Sequence, residues 1–174
     1  MKIVIFGMGS IGQRHAKILL EQYNHDVFAF RSNKDSSPNE LGIKELFSWD
    51  EVKELKADIA FITNPTANHM EVALQCASLG MHLFIEKPLS HNCDHIAELQ
   101  TQCEDKQLTC YTAYCLRFSP VIQKVSELLA GKRVYHVRIV CSSYLHHWRE
   151  EENLLKSYSV YKDQGGGILQ IACS

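Results

Sequence analysis

Apolar runs and stretches with a three-to-four-residue rhythm alternate along most of this chain. Lys2–Phe6 is a nearly unbroken apolar run closed by Gly7, the pattern of a parallel strand buried on both faces. From Ser10 onward, Ile11, Ala16, Ile18, Leu19 and Leu20 recur at roughly helical spacing, and this helix is expected to fade near Gln22–Asn24. Val27–Phe30 is a second short apolar run, followed by a polar stretch, Arg31–Asn39, with the composition of a turn. Ser48 and Asp50 signal the start of a short helix over Trp49–Leu55. Ala57–Thr63 reads as a third strand closed by Asn64-Pro65, and His69–Leu79 as a helix stopped by Gly80. Met81–Ile85, His91–Lys106 and Leu108–Tyr114 continue as strand, helix and strand.

Such short alternation, without hairpin signals, predicts a doubly wound α/β fold: a parallel sheet with helices on both faces. The rhythm changes near Arg117–Pro120. A helix from about Ser119 to Leu129 leads through Gly131 into Val134–Ser143, where Val137, Ile139 and Cys141 alternate as in a half-exposed antiparallel strand. The expected division is a dinucleotide-binding domain over residues 1–118 and the start of an incomplete second α/β domain over 119–174. A lone strand cannot close a core, so dimerisation through this segment, and hence a homo-oligomer, is expected.

Composition narrows the function classes. The chain has 174 residues, 45% hydrophobic and 22% charged, which suits an ordinary globular protein with a real core. A formal charge of −2 offers no basic footprint for nucleic acid or an anionic membrane. No apolar run approaches the ~20 residues that span a bilayer. The first strand begins at Lys2 and leaves no room for a signal peptide, so a cytoplasmic location is expected. Seven scattered cysteines lack any Cys-x-x-Cys pair and read as reduced, mostly buried thiols. His146 and His147 are adjacent and would not face one another on a helix or strand, and no metal is expected.

The strongest chemical signal is Gly7-Met8-Gly9-Ser10-Ile11-Gly12, a Gly-x-Gly-x-x-Gly between the first strand and the first helix. Gly7 permits the tight turn, Gly9 lets backbone approach a diphosphate, and Gly12 lets helix pack closely on strand. The helix start, at Ser10 and Ile11, presents free N–H groups and a partial positive charge to phosphate. At the end of the second strand an NAD enzyme would place a carboxylate on the adenosine ribose. Arg31-Ser32-Asn33 stand there instead, an arginine that can clamp a 2′-phosphate and two polar side chains that can donate to it. NADP(H) is therefore favoured, with NAD(H) as the other cofactor; the bland reading is a solvated turn that leaves the ribose unread.

Asn64-Pro65-Thr66 with His69 follows the third strand, and Glu86-Lys87-Pro88 follows the fourth. Ligands collect at the carboxyl ends of strands in open α/β sheets. A lysine there can lie beside the nicotinamide and give a proton or hydrogen bond to a substrate oxygen. Taken alone, a Glu-Lys-Pro after a strand is more often a surface turn.

Five motifs stand in order: Gly7–Gly12, Pro65-Thr66-Ala67-Asn68-His69, Glu86-Lys87-Pro88, Tyr114 through Arg117-Phe118-Ser119-Pro120, and Gly165–Gly167. In that order the chain resembles the glucose-fructose oxidoreductase/inositol dehydrogenase/rhizopine-catabolism family. The resemblance implies a Rossmann domain, a second α/β domain for substrate and oligomer contacts, and hydride transfer between a nicotinamide and a sugar or polyol. It implies that Lys87 is the active-site lysine, that Asn64, Pro65, Thr66, His69 and Glu86 lie on the nicotinamide side, and that Arg117 belongs to the same cleft. It also implies that the Lys87–Pro88 bond is often cis. Lys156-Ser157-Tyr158-Ser159 looks like branches acting on nucleotide-linked or surface-polysaccharide sugars.

One element departs from the family pattern. An aspartate and then a histidine are expected downstream of Gly165–Gly167, but Ile171 stands at the aspartate's place and Ser174 is reached where the histidine belongs. A fragment, a truncated product and a shortened relative with impaired chemistry are the three readings. Against the oxidoreductase stand a non-catalytic NAD(P)-sensing or interaction module and a Rossmann-like domain for another nucleotide.

Overall fold

Consecutive apolar side chains on a strand point to opposite faces, so a run like Ile3-Val4-Ile5-Phe6 can be buried only between two layers. All four are at most 1% exposed. The computed structural model of the protein describes residues 1–32, 39–140 and 161. Within them lie six strands: β1 (Lys2–Phe6), β2 (Asp26–Phe30), β3 (Lys44–Leu46), β4 (Ile59–Ile62), β5 (His82–Ile85) and β6 (Cys110–Thr112). They form one sheet in the order β3-β2-β1-β4-β5-β6, every neighbouring pair parallel. This is the Rossmann order, and the strand sequence reverses between β1 and β4.

Helices cover the two faces unequally. Ile3, Ile5, Val27 and Ala29 pack beneath Ala16 and Leu19 of α1 (Ser10–Gln22). Val4, Phe6, Ala60, Ile62, Leu83 and Ile85 point the other way, into a larger core. It is closed by α2 (Trp49–Leu55), α3 (His69–Ser78) and α4 (Ile96–Asp105). Each fully buried valine, leucine, isoleucine or phenylalanine among them stabilises the fold by about 1.5–3 kcal/mol. The last helix, α5 (Pro120–Leu129), follows a 3₁₀ turn over Cys115–Phe118. Among the described residues no helix is long and apolar enough to cross a membrane.

Most predicted elements are present, and the differences have local causes. β3 was not expected because Lys44-Glu45-Leu46 carries one apolar residue; it forms as an edge strand through its register with Phe28–Phe30. The helix expected over His91–Lys106 begins only at Ile96. Ahead of it the Asn92 side chain accepts from Asp94 N–H at 3.1 Å, Ser90 Oγ accepts from Asn92 N–H, and His95 takes a left-handed φ of 61°. These local bonds compete with helix. The cap of α2 is a reciprocal box between Ser48 and Glu51, not Asp50. The strand expected over Val134–Ser143 is absent from its described part, 134–140. Val137 and Ile139 are exposed there, with no neighbouring strand among the described residues to supply hydrogen bonds. Residues 141–143, Asn33, His146, His147, Lys156–Ser159 and Gly165–Ser174 lie outside the described residues.

Candidate functional site

The turn after β1 is shaped by what surrounds it. Gly7 takes φ 103°, and a Cβ there would meet Asn64 N at 2.6 Å. The Thr63 hydroxyl donates to Phe6 O at 3.1 Å and Gly7 O at 2.6 Å, tying the turn to the end of β4. A Cβ on Gly12 would run into the Gly7 carbonyl oxygen and lie 2.9 Å from Thr63 Oγ1, so this helix–strand approach requires glycine. Gly9 differs: a Cβ there would meet nothing within 4 Å. Gly9 is also the N-cap of α1, with no side-chain cap and no acidic residue in the first turn. The first N–H groups of the helix are left to an outside acceptor.

Beside this turn a cavity of about 490 Å³ is lined by Gly7, Met8, Arg31, Ser32, Asn64 and Pro65, with an aromatic floor. Phe6, Phe30 and Trp49 form that floor, their ring centroids 5.1–5.3 Å apart. Asn68, just before α3, and Glu71 and Gln75, within it, make the far wall. Asn64 Oδ1 and Gln75 Oε1 are buried without a hydrogen-bond partner in the protein. Open space over Gly9, uncapped amides and unpartnered polar atoms beside a cavity suit a bound dinucleotide. Arg31 is anchored rather than loose: its Nη1 lies 2.8 Å from Glu45 Oε1, both side chains being largely buried. Hydrogen bonds from Asn39 and Arg31 hold the Glu45 carboxyl below the usual carboxylate range.

The Lys87 loop is built from three elements. It continues β5, with Glu86 N–H donating to Ile62 O at 2.9 Å, and the Lys87–Pro88 bond is cis. Glu86 Oε2 accepts from Lys87 N–H at 3.1 Å, and Glu86 Oε1 lies 2.8 Å from His15 Nε2 on α1. Burial alone would raise the Glu86 carboxyl; the bonds from His15 and Lys87 N–H, with the Lys87 charge, hold it below its ordinary value. From the other side, His69 Nδ1 lies 2.9 Å from Pro88 O and its Nε2 2.9 Å from Asn64 O.

The sheet therefore gathers the predicted residues at its carboxyl edge, though not all in one role. Gly7, Arg31, Ser32, Asn64 and Pro65 line the cavity; Gly9, Ser10, Ile11 and Gly12, at the start of α1, and Glu86 and Lys87, after β5, are not among its lining residues. Thr66 and His69 do not reach the cavity: they are 0% and 2% exposed, and the His69 ring faces two backbone carbonyls. His69 thereby braces the loops after β4 and β5, whereas the Thr66 hydroxyl is buried without a hydrogen-bond partner in the protein. Arg117 lies in the exposed turn before α5 and is not among the cavity's lining residues. Sequence reading did not single out His15, Glu45, Thr63, Glu71 or Gln75 for the site. For His15 a signal existed, since it stands on the same helix face as Gly12, Ala16 and Leu19, a polar residue on a buried stripe.

Residues 1–114 match the model of an oxidoreductase family described as an NAD-binding Rossmann fold. The chain is similar to D-xylose 1-dehydrogenase (NADP(+)) 2 of Haloferax volcanii, 27% identical over 138 residues, covering 76% of this chain and 42% of that enzyme. It is similar to myo-inositol 2-dehydrogenase of Thermotoga maritima, 24% identical over 133 residues, 73% of this chain and 40% of that enzyme. Among solved structures, scyllo-inositol dehydrogenase of Lactobacillus casei with NAD(H) and scyllo-inositol superposes with a TM-score of 0.64 at 25% identity. It covers 75% of this chain and 41% of that one. D-galactose-1-dehydrogenase of Rhizobium etli shares the fold, with a TM-score of 0.75 at 17% identity over 97% of this chain and 53% of that one. The chain spans about two-fifths of the length of the curated relatives it matches. Matched over more than half its length, the chain belongs to the glucose-fructose oxidoreductase/inositol dehydrogenase/rhizopine-catabolism family through its NAD-binding Rossmann domain.

Proposed function

We propose that this chain supplies the cofactor half of an NAD(P)-dependent dehydrogenase that moves a hydride between a nicotinamide and a sugar, polyol or nucleotide-linked sugar. The observation that carries this reading is the meeting of the glycine turn, the cavity and the Lys87 loop at one edge of the sheet. The amides of Ser10 and Ile11 and the backbone at Gly9 would hold the diphosphate. Arg31 and Ser32 would face the adenosine ribose, and Asn64 and Pro65 the middle of the cofactor. The nicotinamide, when bound, supplies the site that accepts or gives the hydride. Lys87 would hydrogen-bond the reacting oxygen and pass a proton at its Nζ. A cytoplasmic homo-oligomer, with residues 1–118 as cofactor domain and 119–174 opening a second α/β domain, completes the reading. In its support, α5 leaves Val121, Val125 and Leu128 exposed, as the first element of a separate domain would.

The test is a titration of NADPH against NADH, followed by Trp49 emission, since Trp49 lines the cavity. Quenching by NADPH that is lost in Trp49→Phe supports the site; no quenching and no binding of either nucleotide removes it. NADP(H) is the favoured cofactor because Arg31 and Ser32, the two residues that follow β2, line the cavity. Glu45 tempers that preference by neutralising part of the Arg31 charge. Glu45→Gln should therefore tighten NADPH binding roughly threefold relative to NADH. An unchanged NADPH/NADH ratio would remove Glu45 from cofactor choice. A non-catalytic NAD(P)-binding module is the second reading, favoured by Ile171 at the place where the family pattern has an aspartate. It predicts that Lys87→Ala leaves the biological effect intact.

A further inference from the structure

His15 has an environment that helix packing alone does not require. Its ring stands edge-on to Phe61 and Phe84, with centroids 5.6 Å and 5.3 Å away, and those two rings stack on one another at 4.6 Å. Held there, it directs Nε2 at Glu86 Oε1, and the two side chains are only 19% and 14% exposed. The second oxygen of the same carboxylate accepts the Lys87 N–H. One carboxylate thus joins α1, whose first turn is the glycine loop, to the residue that the proposed chemistry uses.

We propose that His15 is a positioning residue, which through the Glu86 carboxylate fixes the Lys87 loop relative to the glycine turn and so sets the nicotinamide end of the site. The inference rests on the dehydrogenase reading above. Geometry requires the carboxylate: it has two acceptor oxygens for two donors on different elements, whereas an amide offers one. The aromatic pair matters as well, because it excludes water and leaves the bond little competition. His15 lies one helical turn from the phosphate-binding amides, so it can act on the nicotinamide half while leaving the diphosphate contacts in place.

Two ligands that differ only in the nicotinamide separate this role from simple packing: NADPH and 2′-phospho-ADP-ribose. Dissociation constants for both, with melting curves alongside, would be measured for the wild-type chain, His15→Gln and His15→Leu. Glutamine keeps a donor near the Nε2 position; leucine fills space without one. His15→Leu is expected to bind 2′-phospho-ADP-ribose within about twofold of wild type and NADPH about tenfold more weakly, the loss of one charge-assisted bond. His15→Gln should recover most of the NADPH affinity. Equal weakening of both ligands in His15→Leu, or no weakening of either, would overturn the proposal. So would a glutamine variant no better than leucine. Should His15→Leu fail to fold, Glu86→Gln takes its place with the same expected split between the ligands, and the same two contrary results count against it. A wild-type chain that binds neither ligand sinks the dehydrogenase reading itself, an outcome visible before any variant is made.

Discussion

Gly9→Ala is expected to melt within about 2 °C of the wild type and yet bind NAD(P)H at least tenfold more weakly. The unliganded protein has room for the methyl group, since nothing lies within 4 Å of the Cβ position. The backbone also tolerates it: φ −70° and ψ −172° are open to any L-residue. A substitution of this kind usually changes stability by no more than about 0.5 kcal/mol, a small shift in melting temperature for a chain of this size. The open space is where a diphosphate would approach the helix start, so the methyl displaces at least one charge-assisted bond, worth about 1.5–3 kcal/mol. Gly12→Ala should do the reverse. Its methyl meets the Gly7 carbonyl and Thr63 Oγ1 with backbone on one side and a doubly engaged hydroxyl on the other. Overpacking of this sort costs on the order of 3 kcal/mol, or roughly 10 °C in melting temperature. Melting and binding measured on the same two variants decide the matter. If Gly9→Ala binds the nucleotide normally, the diphosphate is not held there.

That contrast between two glycines of one motif marks how far sequence reading reaches. The turn itself was legible because its determinants are contiguous: an apolar strand, three glycines at fixed offsets, then helical spacing. Asn64 and the Glu86-Lys87 pair were legible for a related reason, standing among the first polar residues after buried strands. What escaped notice depends on long-range placement. Glu45 enters the site because the edge strand β3 sets it beside Arg31, 14 residues away. His15 and Glu86 are 71 residues apart, and only the β1-β4-β5 order brings α1 over the β5 end. Thr63 is an ordinary strand residue in sequence and the tie of the glycine turn in space. Arg31 shows the converse: the residue type was read as a phosphate clamp, while the structure shows part of its charge already answered by a neighbour. A motif specifies what a few residues can do; the sheet order decides what they meet.

His69 gives the second large effect, in stability and its dependence on pH. The ring is 2% exposed and joins the ends of β4 and β5 by facing Asn64 O and Pro88 O at 2.9 Å each. His69→Ala leaves both carbonyls and a cavity behind, a loss on the order of 3–4 kcal/mol that should lower the melting temperature by roughly 10 °C. A neutral imidazole has one N–H to offer two acceptors, so the carbonyls and the nearby Glu86 charge favour protonation while burial opposes it. Burial prevails, and the folded-state value lies below the ordinary 6.5. The unfolded chain therefore takes up this proton first as pH falls. The contribution of His69 is complete above about pH 6.5 and declines below it, until the folded form is protonated too. Urea midpoints measured between about pH 7.5 and pH 5 should fall for the wild type and fall less steeply for His69→Gln, whose side chain does not titrate. Parallel slopes for the two proteins would mean that folding leaves the His69 proton affinity unchanged, and a wild type that falls less steeply than His69→Gln would mean that the ring is held as imidazolium, bonding both carbonyls at once.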